Sequence, residues 1–248
     1  MNRTLATVAA TFVFLQPFMA ASSLARSEGR VERVQFEKGA TSTVIKGEVK
    51  GYQYVDYLVG AGAGQTLTVR LATSNASSYF NINPPDSDVS MFIGSTSGGS
   101  FEGVLPTDGD YGVRVYLMRN AARRNESASY TLTIAVTGRP LAATPAGKDA
   151  LIPGTRFHAS ATIGCVPLAG AQEQECQAFV IRRGFDGTAT VEVRSGESFR
   201  RRILFLKGKP VSSDSPDTLS VERKGDSSVV TLGGGERYAI PDAFVTGG

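Results

Sequence analysis

The chain has 248 residues, of which 41% are hydrophobic, and a formal net charge of +3. This apolar content is enough for a packed core and too high for a disordered chain. The charge is far below the strong basic bias of nucleic-acid-binding proteins, so we expect no nucleic-acid partner. The length corresponds to one or two domains.

Residues 1–25 have the order of a secretory signal peptide. Arg3 supplies a positive charge, an apolar run follows, and Ser23 and Ala25 are small residues that suit cleavage after Ala25, with cleavage after Ala21 as the alternative. The apolar run is too short for a membrane anchor. We therefore predict a protein of the periplasm or a secreted protein, with no membrane insertion after the leader is removed.

Residues 26–137 consist of short segments in which apolar and polar residues alternate, which is typical of strands with one buried face. Turn-forming clusters separate these segments, so the pattern predicts an antiparallel β-sandwich. The glycine-rich AGAGQ stretch at 61–65 predicts a hairpin turn. The alternating segments are Val34–Phe36, Thr43–Val49, Tyr54–Val59, Thr66–Leu71, Tyr79–Ile82, Val89–Ile93, Phe101–Leu105, Tyr111–Leu117 and Tyr130–Val136.

Residues 138–149 are rich in Pro, Ala and Gly, and this composition predicts a linker. Residues 150–248 again alternate in short segments, which predicts a second, smaller β-rich domain, so that the whole chain is all-β. Because an exported chain meets an oxidising compartment, we expect Cys165 and Cys176 to form a disulfide. Two thiols and the distant His158 are too few for a zinc site, and we predict no metal or other cofactor.

The sequence has no recognisable catalytic apparatus: it lacks a nucleophile elbow, a phosphate-binding loop and a dinucleotide fingerprint. The carboxylate pairs Asp86 with Asp88 and Asp108 with Asp110 lie in turns, where aspartate usually bonds to the backbone. A glycosidase would need two facing carboxylates, and a calcium site would need further oxygen ligands. Both remain minor alternatives to a protein that is not an enzyme.

Two basic runs remain. We expect Arg200–Arg202, on a predicted strand, to be a solvated edge or face, with docking to an acidic partner as the alternative. In the other run, Tyr111–Tyr130, two strands frame a polar loop, RNAARRN, whose residues favour one helical turn. Such a turn would place Arg119 and Arg123 on one face. Two adjacent guanidinium groups suit carboxylates or phosphates, whereas the alternative is a solvated basic turn.

The sequence resembles the periplasmic inhibitors of g-type lysozyme over about Val31–Val136. The resemblance rests on the stretches GEVKGYQYVDY, AGAGQTLTV and GVLPTDGDYGVRVYLMRNAARRNESASYTLTI. It implies a β-sandwich that is related in plan to the bacterial pre-peptidase C-terminal domain. The second predicted domain lies outside the resemblance and has no assigned function.

The resemblance also implies a partner, g-type lysozyme, and a binding surface. In such inhibitors a tyrosine of the KGY turn and two arginines of the loop meet the enzyme, which assigns partner contacts to Tyr52, Arg119 and Arg123, with Asn120 added by adjacency. The arginine loop would enter the acidic substrate cleft and so protect peptidoglycan. The alternative is a non-catalytic module that binds cell-wall glycan or another exported protein. The stretch 74–88 is longer and more polar than a minimal inhibitor requires, and we consider it a second candidate recognition loop.

Overall fold

The computed structural model describes residues 29–196 and 199–247, and its secondary structure is almost entirely β. The predicted leader, residues 1–25, lies outside the described residues. Among those residues, no helix combines the length and the apolar character needed to span a membrane. The N-terminal elements are β1 (Gly29–Arg33), β2 (Ser42–Lys50), β3 (Tyr54–Ala61), β4 (Thr66–Thr73), β5 (Ser78–Asn83), β6 (Phe92–Ile93), α1 (Gly94–Ser97), β7 (Ser100–Val104), β8 (Gly109–Leu117), α2 (Arg119–Arg123) and β9 (Ser127–Thr137).

The nine strands form the N-terminal sandwich. One sheet has the order β1-β3-β8-β5-β6 and the other has the order β2-β9-β4-β7. All pairs are antiparallel except β1 with β3, which is parallel. Every second residue of β3, β8 and β9 is buried, because successive side chains of a strand point to opposite faces. These side chains fill one core between the sheets, and the predicted all-β fold is confirmed.

Three buried tyrosines anchor this core with their hydroxyl groups. The hydroxyls of Tyr57 and Tyr130 lie 2.8 Å apart across the two sheets. Burial and this hydrogen bond raise the pKa of Tyr130. The hydroxyl of Tyr111 donates to the carbonyl of Thr107 at 2.8 Å, which fixes the turn before β8. Each polar group is thereby satisfied inside the apolar interior.

Two predictions about the strands are wrong. The AGAGQ stretch is not a hairpin turn, because β3 belongs to the five-stranded sheet and β4 to the four-stranded sheet. It crosses between the sheets instead, with Gly64 in a left-handed conformation at φ +79°. The predicted first strand, Val34–Phe36, is not a strand, because β1 is Gly29–Arg33 and ends before Val34. Alternation of apolar and polar residues defines the ends of a strand only where clear turn signals flank it. It does not show which strands pair with each other.

The second half of the chain forms one antiparallel sheet in the order β14-β13-β12-β11-β10-β17-β16-β15, here called the C-terminal sheet. Its edge strands approach each other, so the sheet curls toward a barrel around a separate core. We propose that the two separate cores correspond to the predicted domains. The elements are β10 (Ala159–Val166), β11 (Gln174–Arg182), β12 (Ala189–Ser195), β13 (Phe199–Leu206), β14 (Lys209–Ser213), β15 (Leu219–Lys224), β16 (Ser227–Leu232), β17 (Glu236–Pro241) and α3 (Asp242–Thr246).

The disulfide between Cys165 and Cys176 joins β10 to β11, and the predicted bond is confirmed. Its two Cα atoms are 5.9 Å apart, and both cysteines are buried in the core of the C-terminal sheet. The bond closes the short connection between two strands that are already paired along their length. It therefore restricts the unfolded chain near this hairpin more than it determines the fold.

The C-terminal sheet docks on one end of the sandwich through hydrogen bonds that are buried or partly buried. The hydroxyl of Thr190 donates to the carbonyl of Pro106 at 2.7 Å, and the side chain of Arg183 binds the carboxylate of Asp108 at 2.6 Å. The two residues that accept these hydrogen bonds lie just before β8 begins at Gly109. In contrast, α2 begins two residues after β8 ends at Leu117. The docked sheet therefore leaves the arginine loop, at the opposite end of the sandwich, uncovered.

The expectation that Arg200–Arg202 is a solvated run is wrong for two of its three residues. Arg201 and Arg202 are 3% and 0% exposed. Arg201 binds Glu236 at 2.7 Å, and Arg202 binds Glu192 at 2.9 Å. The acidic partners come from other strands of the sheet, so the local sequence pattern does not reveal them.

Candidate partner-binding surface

The short helix α2 carries the arginine loop from the five-stranded sheet to the four-stranded sheet. Ala121 and Ala122 form its buried face, whereas Arg119, Asn120 and Arg123 are exposed. Because residues four apart lie on one helical face, the two arginine side chains project from the same side, with Cβ atoms roughly 5–6 Å apart. The predicted helical turn is confirmed.

Of the four arginines in or beside this loop, two are bound internally. Arg114 donates two hydrogen bonds of 2.7 Å to Asp56 on the neighbouring strand, and this pairing raises its pKa. Arg124 donates one hydrogen bond of 2.6 Å to the carboxylate of Glu126. Within the part of the chain that the structure describes, the two arginines of α2 form neither a salt bridge nor a side-chain hydrogen bond. Their guanidinium groups are directed to solvent.

The turn between β2 and β3 lies against the end of the arginine loop. The amide of Gly51 donates to the carbonyl of Glu126 at 2.9 Å. Gly51 has φ +56°, and a Cβ there would lie 2.8 Å from Oδ1 of Asn125 and 3.7 Å from the carbonyl oxygen of Ala122. The next residue, Tyr52, is 39% exposed. The fold thus brings the turn that carries Tyr52 next to α2.

A third turn, between β4 and β5, completes this end of the sandwich. Nδ2 of Asn75 donates to Glu126 at 2.9 Å, and its Oδ1 accepts the amide of Ser77 at 2.9 Å. The amide of Met118 donates to the carbonyl of Ser77 at 2.9 Å. Hydrogen bonds from Asn75 and Arg124 lower the pKa of the Glu126 carboxyl. This turn therefore braces both ends of the loop.

The length and polarity of the 74–88 stretch suggest a recognition loop, whereas its bracing role is not evident from the sequence. Asn75 carries a local signal, because asparagine often accepts the backbone amide two residues on. Its link to Glu126 joins distant parts of the chain and has no local signature. We define the loop surface as the exposed residues Tyr52, Met118, Arg119, Asn120 and Arg123.

The loop surface is basic and has donor groups to spare. Each guanidinium group offers five N–H donors in a planar fork that matches a carboxylate or a phosphate. Oδ1 of Asn120 accepts the amide of Ala121 at 2.8 Å, which leaves the side-chain NH₂ group of Asn120 for a partner. The surface can therefore bind an acidic partner through charge-assisted hydrogen bonds.

The other titratable candidates serve the fold. Asp108 binds Arg183, and Asp110 binds Arg33 at 2.6 Å. His158 is buried, and its two ring nitrogens lie 2.8 and 3.0 Å from backbone groups. Within residues 29–196 and 199–247, no group of three His, Cys, Asp or Glu side chains is arranged to hold a metal ion.

The N-terminal half of the chain is similar to known proteins. No family model matches the sequence. The chain is 34% identical over 118 residues to an inhibitor of g-type lysozyme from Escherichia coli (strain K12), a match that covers 46% of this chain and 87% of that relative. The chain belongs to the family of g-type lysozyme inhibitors. The C-terminal sheet lies outside the region that this family shares.

Two solved structures are similar to the inhibitor half of the chain. PliG of Aeromonas hydrophila, described as a periplasmic inhibitor of g-type lysozyme, is 32% identical, with a TM-score of 0.40 and coverage of 44% of this chain and 98% of that chain. The pre-peptidase C-terminal domain of a Bacillus anthracis collagenase is 15% identical, with a TM-score of 0.31 and coverage of 45% and 97%.

Proposed function

We propose that this protein is exported to the periplasm and inhibits g-type lysozyme, and that it thereby protects peptidoglycan. Membership of the inhibitor family supports the activity, and the description of a similar protein as periplasmic supports the location. The leader predicted for residues 1–25 supports export. The inhibitor acts by binding and needs no catalytic group of its own.

The loop surface is the part that we propose meets the enzyme. Arg119 and Arg123 enter the acidic substrate cleft, where their guanidinium groups bind carboxylates and exclude the glycan. A charge-assisted hydrogen bond of this kind contributes about 1.5–3 kcal/mol. Tyr52 packs beside them and Asn120 adds amide donors. The observation that carries this proposal is the pair of exposed arginines on one face of α2, with no internal partner among the described residues.

Bracing of the loop favours tight binding. The backbone bond from Gly51 and the side-chain bonds from Asn75 hold the ends of the loop before a partner arrives. A loop that is already ordered loses less conformational entropy on binding, and this raises the affinity. The docked C-terminal sheet lies at the far end of the sandwich and does not obstruct the approach of an enzyme.

The test is an inhibition assay with the full exported chain and peptidoglycan as substrate. Goose-type, chicken-type and invertebrate-type lysozymes are titrated with the protein. We expect inhibition of the goose-type enzyme, while the other two enzymes measure specificity. Full goose-type activity at saturating protein would contradict the proposal. Sedimentation with purified cell wall in the absence of lysozyme tests the alternative, a glycan-binding module.

A further inference from the structure

A second cluster of arginines lies on the C-terminal sheet, far from the loop surface. Its centre is the carboxylate of Glu192 on β12, which is 2% exposed. Four guanidinium groups approach this one carboxylate, at 3.6, 2.6, 3.5 and 2.9 Å, and they belong to Arg156, Arg194, Arg200 and Arg202. We call these four arginines the Glu192 cluster.

Strand register builds the cluster. Glu192 pairs directly with Arg202 across β12 and β13, and Arg194 pairs with Arg200. Like charges directly opposite each other in a sheet are unfavourable, so the second pair depends on the carboxylate beside it. The guanidinium carbon of Arg194 lies 4.4 Å from the ring centre of Phe179, a cation–π contact that helps to hold the group in place.

Positive charge exceeds negative charge in this region. The cluster and its neighbour Arg201 bring five guanidinium groups together, against the three carboxylates of Glu192, Asp214 and Glu236. Among the described residues this leaves an excess of two positive charges. Nη2 of the buried Arg202 has no hydrogen-bond partner. Repulsion between neighbouring guanidinium groups is therefore only partly relieved within the protein.

Three of the four arginines keep part of their side chain in solvent. The side chains of Arg156, Arg194 and Arg200 are 48%, 37% and 31% exposed. Each guanidinium has five N–H donors, and Glu192 has only two oxygens to share among four groups. Donor capacity that the carboxylate cannot satisfy is thus concentrated at one exposed spot.

We propose that the Glu192 cluster binds a phosphate monoester. Three guanidinium groups that converge from different strands and segments suit a ligand with three acceptor oxygens, which a phosphate monoester offers and a carboxylate does not. The dianionic charge of the ligand suits the excess of two positive charges that is counted among the described residues. Glu192 stays in place as the group that orients the arginines.

The site is independent of the loop surface and of the proposed inhibition. Nη1 of Arg202 donates to the carbonyl of Pro85 at 2.7 Å, at the end of the sandwich remote from α2. A phosphate ligand and a protein partner can therefore be bound at the same time. The shared chemistry is the phosphate monoester, whether it is carried by a soluble sugar or by a lipid headgroup.

The test is titration calorimetry of the full chain with inorganic phosphate, at constant ionic strength with chloride as the blank. We expect saturable binding that R156Q/R200Q weakens about tenfold or more. The matched control R30Q/R33Q removes two other exposed arginines, which bind Glu32 and Asp110, and we expect it to leave the affinity unchanged. Glucose 1-phosphate and phosphatidylcholine vesicles that contain phosphatidic acid distinguish a sugar source from a lipid source.

Absence of saturable heat with all three probes would overturn the proposal, as would equal affinities in wild type and a folded R156Q/R200Q. If thermal melting shows that this variant is unfolded, R156K/R200K replaces it. Lysine keeps the charge but loses the planar fork, so we expect a smaller loss of affinity. An unchanged affinity in the lysine variant would equally contradict binding by guanidinium forks.

Discussion

The amide of Gly51 donates a hydrogen bond of 2.9 Å to the carbonyl of Glu126, at the end of the arginine loop. The two residues belong to turns that are distant in sequence, and this bond joins the turns into one surface. It places Tyr52 beside α2 and thereby unites the residues to which we assign partner binding. The stability of this contact is therefore the first property to test.

Substitution of Gly51 by alanine should damage the contact. Alanine would have to keep the left-handed backbone conformation of Gly51, and its Cβ would lie 2.8 Å from Oδ1 of Asn125. We therefore expect a loss of about 1–3 kcal/mol in the free energy of unfolding. Gly39→Ala is the matched control, because Gly39 has φ +83° and open space around it. Urea denaturation measures both variants. Equal losses would show that the crowding at Asn125 is unimportant.

Asn75→Ala should loosen the loop without touching the loop surface itself. The substitution removes the hydrogen bonds to Glu126 and to the amide of Ser77, and we expect unfolding to become easier by about 1–3 kcal/mol. Hydrogen exchange should also speed up for the amides of 118–126. If exchange there matches that of the wild type, the turn between β4 and β5 does not brace the loop.

Thr190→Val tests the junction between the two sheets. Valine has nearly the same shape but cannot donate to the buried carbonyl of Pro106, so we expect a loss of about 1–3 kcal/mol. Thr131→Val, at a half-buried position of β9, serves as the control. Chemical denaturation that leaves the two variants indistinguishable would mean that the junction contributes little to stability.

The Glu192 cluster should make the protein sensitive to acid. Burial raises the pKa of Glu192, but hydrogen bonds from Arg194 and Arg202 outweigh it and lower the pKa below the ordinary value of 4.5. A carboxyl whose pKa falls on folding adds stability above its unfolded pKa, and this stability disappears as the pH falls through the folded pKa. We therefore expect the free energy of unfolding to decrease below about pH 4.5.

Urea denaturation from neutral pH to about pH 3 measures this effect. Glu192→Gln separates it from the titration of other carboxyl groups. The variant should be less stable at neutral pH by about 3–5 kcal/mol, because the buried guanidinium group of Arg202 loses the carboxylate that it binds at 2.9 Å. Its stability should also fall less steeply with acid. A parallel pH profile in both proteins would contradict the assignment.

The sequence indicates most of the strands, because alternation reports directly which face of a strand is buried. It also indicates α2, because alanine and arginine are good helix formers. Pairing of strands depends on distant residues, which is why the prediction of a hairpin turn at AGAGQ is wrong. The same limit applies to Arg201 and Arg202, whose carboxylate partners lie on other strands of the C-terminal sheet.

Part of the candidate site can be predicted from the sequence, and part of it cannot. The KGY turn and the arginine loop are recognisable as motifs, and the resemblance to the inhibitor family links them. The bond from Asn75 to Glu126 was not predicted, because it joins side chains from two turns that only the folded sandwich brings together. Binding by Tyr52, Arg119, Asn120 and Arg123 stays a prediction.

The most direct test of the account is the inhibition constant of R119A/R123A against goose-type lysozyme. The matched control is R70A/R139A, which removes two exposed arginines away from the loop surface. We expect R119A/R123A to inhibit about a hundredfold or more less strongly than wild type, with unchanged thermal stability, and the control to inhibit normally. Wild-type inhibition by a folded R119A/R123A would contradict the arginine mechanism.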